Sequence, residues 1–283
     1  MKDSKTSSTF ETSRHANVFK RVLIGLVVLL VLLGALGAYE NRHAIYYWWH
    51  GEVVVDRSKY PIVGIDISSH NGDIDFYRVK KGDYSFVIIK ASEGEDVLDS
   101  LFATNYNRAK ANGLKVGAYH YFRKNTDGIN QAKNFVEAVG WRKLDLPMVI
   151  DIEDEINDNV GDDIALKNLN AMIDNLQSRG YKVMIYTNGN GYKKYVKDRQ
   201  MANVINLWIC SFKKPDDISH IPHQLQQYSH HGRVDGINGD VDLDVFNGNE
   251  KDWELWLTKA APLPADTTTT TNIKEDINDE ISK

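Results

Sequence analysis

An alternation of short apolar runs with longer segments of helical periodicity, between Lys59 and Leu257, restricts the fold more than any other feature. Eight of the short runs are strand candidates, and many are rich in β-branched or aromatic residues, as buried strands are. Three segments between the early runs have helical periodicity and close at a glycine, which is typical of a helix C-terminus. The repeated order strand, helix, strand indicates parallel βα units.

Eight such strands suggest a closed barrel. The connections after the sixth strand, however, are too short for full helices. We therefore predict an α/β fold with a shortened or irregular (β/α)8-type barrel, in a single domain over residues 59–257. The predicted strands cover 62–67, 86–91, 115–122, 148–152, 183–187, 207–211, 224–228 and 241–246, and the predicted helices cover 100–112, 129–139 and 163–178.

An uncharged apolar run precedes this domain at residues 22–39. As a helix its 18 residues span roughly 27 Å, which is close to the hydrocarbon thickness of a bilayer. Residues 1–21 carry an excess of Lys and Arg, whereas no such excess follows the run. The positive-inside rule therefore predicts one N-terminal transmembrane helix, with residues 1–21 in the cytoplasm and the domain on the outer side of the membrane.

Two interpretations of this run stay open. Residues 35–38, Ala-Leu-Gly-Ala, resemble a small-residue cleavage site, which would make the run a signal peptide and the domain a secreted one. The length of the run and the aromatic residues 46–49, Tyr-Tyr-Trp-Trp, favour an uncleaved anchor, because aromatic side chains settle at the headgroup level. Residues 40–58 then form a juxtamembrane linker on the periplasmic or extracellular side.

Composition excludes several classes of protein. Hydrophobic residues make up 42% of the chain and Cys210 is its one cysteine, which excludes a wholly disordered or disulfide-stapled chain. The net charge of -5 disfavours a nucleic-acid partner, since such proteins usually present a basic face. Residues 258–283 are polar and of low complexity, which predicts a disordered tail. We expect a monomer without a metal or cofactor.

Chemistry in such a barrel lies at the C-terminal ends of the strands. The sharpest signal there is Asp151-Ile152-Glu153, because alternate residues of a strand point to the same side and place both carboxyls in one pocket. Two neighbouring carboxyls raise the pKa of one of them, which can then protonate a glycosidic oxygen while a second carboxylate supports the developing cation. A solvated acidic turn is the alternative, since acidic residues continue to Asp163. Asp66 and Asp242 on other strands favour catalysis.

A series of short motifs runs through the whole domain. It begins with GIDIS at 64–68 and GDIDF at 72–76, and it continues with VIIKASEG at 87–94, GAYHYF at 117–122, DIE at 151–153 and GDVDL at 239–243. In this order the motifs resemble glycoside hydrolase family 25, the Chalaropsis-type lysozymes or N-acetylmuramidases. The resemblance implies hydrolysis of the β-1,4 bond between N-acetylmuramic acid and N-acetylglucosamine, with peptidoglycan glycan strands as the partner.

The same resemblance implies roles for single residues. Glu153 would be the general acid and Asp151 its charge partner, and Asp66 and Asp242 would complete a cluster of four carboxyls. The second catalytic group, an enzyme carboxylate or the 2-acetamido group of the substrate, stays open. Candidates for substrate binding are Glu93, Tyr121, Tyr186, Trp208, Gln227 and Tyr228.

The sequence departs from the family pattern in two places. Ser69-His70-Asn71 replaces a Gln-containing stretch, and Asp244 stands where Asn is usual, with Asp240 nearby. Both departures leave the four acids intact. Two other functions compete with the muramidase: a non-catalytic peptidoglycan-binding module on the same barrel, and a metal-dependent hydrolase that uses the acidic cluster.

Overall fold

A computed structural model of the chain describes residues 5–42, 45, 49, 51–153, 160–197 and 206–260. The chain forms two compact units, Met1–Glu52 and Val53–Lys283. The first unit contains helix α1 (Lys5–Glu40). Its segment Phe19–Glu40, of 22 residues and mean hydropathy 2.7, is long and apolar enough to cross a membrane, a criterion that an N-terminal signal sequence also meets.

Two expectations fall on parts of the chain that are not described. Tyr46, Tyr47 and Trp48 of the predicted aromatic belt lie outside the described residues, as does the predicted tail from residue 261 onward. The aromatic belt and the tail therefore stay predictions. The helix that an anchor requires is present, and its insertion in a membrane also stays a prediction.

The second unit is built on a closed barrel. Eight strands follow one another around the barrel in the order β1, β2, β4, β5, β6, β7, β8 and β9, and β9 pairs again with β1. The two-residue strand β3 pairs with β2 beside the ring. The predicted shortened barrel is confirmed. Its strands are β1 (Val63–Ile67), β2 (Phe86–Glu93), β3 (Val97–Leu98), β4 (Lys115–Tyr121), β5 (Met148–Asp151), β6 (Val183–Asn188), β7 (Asn206–Cys210), β8 (Leu225–Gly232) and β9 (Val241–Phe246).

The last strand departs from the predicted parallel arrangement. Every neighbouring pair from β1 to β8 around the ring is parallel, whereas β9 runs antiparallel to both β8 and β1. Residues 233–240 join β8 to β9, and a connection this short cannot make the crossover that a parallel pair needs. The N-terminal end of β9 therefore lies at the mouth where the other strands end.

Helices cover the outside of the early strands. The three predicted helices are present, and α4 shows why: the Asp127 side chain accepts a hydrogen bond from the Asn130 amide at its start, and Gly140 takes a left-handed φ of 58° at its end. After β7 only a short turn, Pro215–Ile218, precedes β8. The α-helices of six or more residues described in this unit are α2 (Phe76–Lys81), α3 (Phe102–Ala111), α4 (Gly128–Val139), α5 (Asp162–Ser178) and α6 (Glu250–Ala260), of which α2 and α6 were not predicted. A short helical segment, Gly189–Gly191 continued by a π-helix at Tyr192–Val196, follows β6.

The barrel interior changes character along the strands. Its lower layer, here called the apolar floor, packs strand residues against Trp253 and Leu257 of α6. Alternate residues of a strand point to the same side, so the position two residues closer to the mouth shares the face of each floor residue. Beyond Ile88, Val149, Met184, Leu225 and Phe246 these positions hold the polar side chains Lys90, Asp151, Tyr186, Gln227 and Asp244. The strand residues of the apolar floor are Phe86, Ile88, Val149, Met184, Trp208, Leu225 and Phe246.

Candidate active site

A cavity of about 200 Å³ opens at the mouth of the barrel. All four carboxyls predicted to be catalytic, Asp66, Asp151, Glu153 and Asp242, line it. The cavity is also lined by four of the predicted binding residues, namely Tyr121, Tyr186, Trp208 and Gln227. The structure thus brings together residues from β1, β4, β5, β6, β7, β8 and β9 that are far apart in the sequence.

Strand geometry places each carboxyl. Asp66 on β1 lies directly opposite Asp242 on β9, and Asp151 ends β5 with Glu153 two residues beyond it. Asp242 reaches the mouth for a reason other than the predicted one. It stands near the beginning of β9, and it faces the cavity because that strand runs antiparallel to its neighbours.

Burial dominates the electrostatics of this cluster. Asp66 and Asp151 are each 7% exposed, and burial raises the pKa of both carboxyls well above the ordinary value. The charge of Asp242 raises the pKa of Asp66 further, and that of Glu153 does the same to Asp151. Burial raises the pKa of Asp242 to about 6, although a hydrogen bond with Asp66 opposes the shift. The mouth therefore retains protons that isolated aspartates would lose.

A chain of hydrogen bonds crosses the mouth. The Tyr186 hydroxyl donates to Gln227 Oε1 at 2.8 Å, and Gln227 Nε2 donates to Asp66 Oδ2 at 2.8 Å. The Trp208 ring contacts Tyr186 edge-on with 4.5 Å between the ring centroids. Gln227 is therefore fixed in one orientation, and its amide supports the charged form of Asp66.

Lys90 lines the cavity and was not among the predicted site residues. Its Nζ donates to Glu93 Oε2 at 2.6 Å and lies 5.0 Å from the centre of the Tyr121 ring. The sequence held a signal for it, since Lys90 lies two residues beyond Ile88 on the inner side of β2. The other lining residues that were missed are Ser68, His70 and Tyr119.

Two of the predicted binding residues do not line this cavity. Glu93 is bound by Lys90 and by Arg123, whose Nε donates to Glu93 Oε1 at 3.0 Å. Burial raises the pKa of Glu93, but hydrogen bonds from Lys90 and Arg123 outweigh it and lower the pKa overall. Tyr228 is buried and lies on β8 at a register shift between Gln227 and Ser229.

A second cavity of about 470 Å³ adjoins the first. The two share Glu153, Tyr186, Gln227 and Asp242 in their lining. Together they form an extended depression with carboxyls at its centre. Residues that line only the second cavity are Asn188, Cys210, Ser211, Phe212 and His230.

The described residues include no group of three or more His, Cys, Asp or Glu side chains placed to hold a metal ion. Asp154, Glu155 and Asp158 of the acidic run lie outside the described residues. His231 is instead paired with Asp240, its Nδ1 lying 3.1 Å from Asp240 Oδ2.

The sequence profile described as Glycosyl hydrolases family 25 matches residues 65–237. The chain belongs to this family. Family 25 membership makes it a glycoside hydrolase and confirms the resemblance seen in the motifs. Asp66, Asp151 and Glu153 lie within the matched span, and Asp242 lies just beyond it.

Related proteins support the family 25 assignment. The chain is 38% identical over 189 residues to the autolytic lysozyme of Clostridium acetobutylicum, a match that covers 65% of this chain and 55% of that protein. The family 25 glycosyl hydrolase of Bacillus anthracis superposes with a TM-score of 0.63 at 33% identity, covering 72% of this chain and 96% of that one. A bacterial lysozyme from Streptomyces coelicolor gives 0.60 at 30% identity, with coverage of 70% and 96%.

Proposed function

We propose that this family 25 chain is a muramidase that hydrolyses the β-1,4 bond between N-acetylmuramic acid and N-acetylglucosamine in peptidoglycan. The observation that carries the proposal is the convergence of Asp66, Asp151, Glu153 and Asp242 on one cavity. The relatives named as lysozymes supply the substrate class. A glycosidase needs an acid for the leaving group and a second group for the developing oxocarbenium ion, and this cavity holds carboxyls enough for both tasks.

We assign the general acid to Glu153. It lines both cavities, so a glycan that fills the depression passes beside it. Asp151 lies beneath it, more deeply buried and with its pKa raised by burial and by the charge of Glu153. Asp151 therefore keeps a proton in the pocket beside Glu153, where the glycosidic oxygen needs one.

Asp151 has a second feature that bears on the reaction. Its Oδ1 is buried and has no hydrogen-bond partner among the described residues. A buried carboxylate oxygen without a donor is costly unless a ligand supplies one. The amide N–H of a 2-acetamido group is such a donor, and binding it would turn the acetamido oxygen toward the anomeric carbon. This favours the route in which the substrate's own acetamido group acts as the second catalytic group.

The depression suits a polymer better than a small molecule. Cavities of about 200 and 470 Å³ adjoin and share Glu153 and Asp242 in their lining, so sugars on both sides of the carboxyls can be accommodated at once. Tyr121 and Tyr186 present aromatic rings to the first cavity, and we assign them to sugar contacts. Trp208 supports the site from below, since its indole N–H is bound to Asp244.

The test is digestion of purified peptidoglycan by the full chain in detergent, with the new chain ends identified by mass spectrometry. We expect reducing N-acetylmuramic acid ends, and we expect Glu153→Gln to lose about 10²- to 10⁴-fold in rate, as the loss of a general acid does. Glu137→Gln, on the exposed side of α4, is the matched control and should keep the parent rate. Binding without cleavage by the parent chain would instead identify a non-catalytic module.

We also propose that α1 anchors the enzyme in the cytoplasmic membrane, with the catalytic domain on the outer side. The length and apolar character of Phe19–Glu40 support this, together with the basic residues before it. The measurement is fractionation of cells followed by intact-mass analysis. A membrane-bound chain that retains residues 1–39 is the expected result, and a released chain that begins after Ala38 would show a cleaved signal peptide instead.

A further inference from the structure

Asp244 is a buried acid that no motif assigns to the reaction. It is 0% exposed and lies on β9 two residues after Asp242, so both side chains leave the same face of the strand. Across the neighbouring strands Asp244 lies opposite Gln227 on β8 and Gly64 on β1. This position is one layer below Asp242, and Asp244 is not among the residues that line the first cavity.

The two oxygens of Asp244 differ in their partners. Oδ1 accepts a hydrogen bond from the indole Nε1 of Trp208 at 2.8 Å. Oδ2 is buried, and no N–H or hydroxyl among the described residues donates to it. The carboxyl of Asp66 is within hydrogen-bonding reach of the carboxyl of Asp244, and also of that of Asp242, which lies opposite it on β9. Asp66 also accepts a hydrogen bond from the amide of Gln227.

Two carboxylates can form a hydrogen bond with each other only if one of them carries a proton, because an ionised carboxylate has no donor. Without the proton, two buried negative charges would lie in contact, an arrangement that proteins avoid by protonating one group. We propose that Asp244 shares one proton with Asp66 and thereby positions the Asp66 carboxyl in the active-site cavity. The proposal rests on the proposed function for its effect on catalysis.

The surroundings support a retained proton. Burial raises the pKa of Asp244 well above its ordinary value, and the charge of Asp242 adds to this. Burial and the charge of Asp242 also raise the pKa of Asp66. The cation that lines the cavity, Lys90, is bound to Glu93. The titratable groups that face the pair from other positions are Asp242 on β9, with His231 near it, Asp151 on β5, Tyr119 on β4, Tyr186 on β6 and Cys210 on β7.

Asn is the conservative replacement that separates positioning from mere packing. In Asp244→Asn the amide oxygen can accept from Trp208 while the amide N–H donates to Asp66, so the bond persists without a proton. In Asp244→Leu neither bond can form. With full-length protein in detergent we expect Asp244→Asn to keep the rate of peptidoglycan cleavage within about threefold and Asp244→Leu to lose about 10- to 100-fold, mainly in kcat.

A spectroscopic measurement keeps the proposal testable if Asp244→Leu does not fold or if the chain cleaves no peptidoglycan. Infrared difference spectra between acidic and alkaline pH report protonated carboxyls directly. We expect the parent chain to keep a protonated aspartate above pH 6. In Asp244→Asn we expect this aspartate to lose its proton at a lower pH, because Asp66 loses a neighbouring charge and gains a hydrogen-bond donor. Identical titrations in the parent and Asp244→Asn would overturn the shared proton, and an Asp244→Asn variant as inactive as Asp244→Leu would overturn the positioning role.

Discussion

The apolar floor and the mouth of the barrel lie on the same strands, two residues apart, and have opposite roles. In the floor Phe86 is 0% exposed and packs on Trp253 with 5.3 Å between ring centroids. At the mouth Asp66 and Asp151 are almost as deeply buried, yet they are carboxyls whose ionisation the site opposes. The apolar floor stabilises the fold. The mouth lowers the stability, because it buries carboxyls that the reaction needs.

The largest effect should come from a mouth residue and should appear in the rate alone. We expect Asp151→Asn to lower the rate of peptidoglycan cleavage by about 10²- to 10⁴-fold. Its free energy of unfolding at pH 7 should stay equal or rise, because the variant removes a buried acid that resists ionisation. Cleavage assays and urea unfolding measure the two quantities. Asp174→Asn, exposed on α5, is the control. An Asp151→Asn chain that is destabilised but active would contradict the role given to the mouth.

A floor residue should show the reverse pattern. Phe86→Ala leaves a cavity against Ile88 and Trp253, and we expect it to cost about 3–5 kcal/mol of unfolding free energy. The folded fraction should still cleave peptidoglycan at close to the parent rate. Leu255→Ala, 53% exposed on α6, is the control and should change stability far less. A Phe86→Ala chain of unchanged stability would show that the floor does not hold the barrel together.

The pH dependence of stability distinguishes the layers without any substrate. Asp242 has a pKa of about 6 in the folded chain against an ordinary value of 3.8, so between these values the folded state binds more protons than the unfolded state. Its contribution is therefore fully present below pH 3.8 and is lost as the pH rises through 6, an effect of roughly 3 kcal/mol for a shift of this size.

Urea unfolding at pH 4 and pH 7 measures this loss. We expect the parent chain to lose more stability over that interval than Asp242→Asn does, since the amide does not titrate. Equal losses in the two chains would mean that Asp242 is not part of the proton-holding cluster.

The smallest effect should come from the hydrogen-bond chain across the mouth. Tyr186→Phe removes the hydroxyl that donates to Gln227, a bond of the kind that contributes about 0.5–1.5 kcal/mol. We expect a drop in kcat of about 2- to 10-fold with little change in melting temperature. Tyr77→Phe, exposed on α2, provides the comparison, and a larger loss than that of Asp151→Asn would assign Tyr186 a direct part in the chemistry.

Sequence periodicity predicted the barrel and the convergence of carboxyls because both follow from alternation along strands. Periodicity did not predict the direction of β9 or the register of β2. The antiparallel course of β9 depends on a short connection, and it changes why Asp242 faces the cavity. A register shift between Lys90 and Ser92 brings Glu93 opposite Tyr121, where the two cations bind it. A pattern of residue types predicts neither the position of a β-bulge nor the burial of Asp244.

The central claim is that Glu153 protonates the leaving group, and one comparison of substrates tests it most directly. A general acid matters for a sugar leaving group but little for an activated aryl group, which departs without a proton. We predict that Glu153→Gln loses about 10²- to 10⁴-fold on peptidoglycan and less than about tenfold on an aryl β-glycoside of the same sugar. Equal losses on the two substrates, or no loss on peptidoglycan, would contradict the assignment.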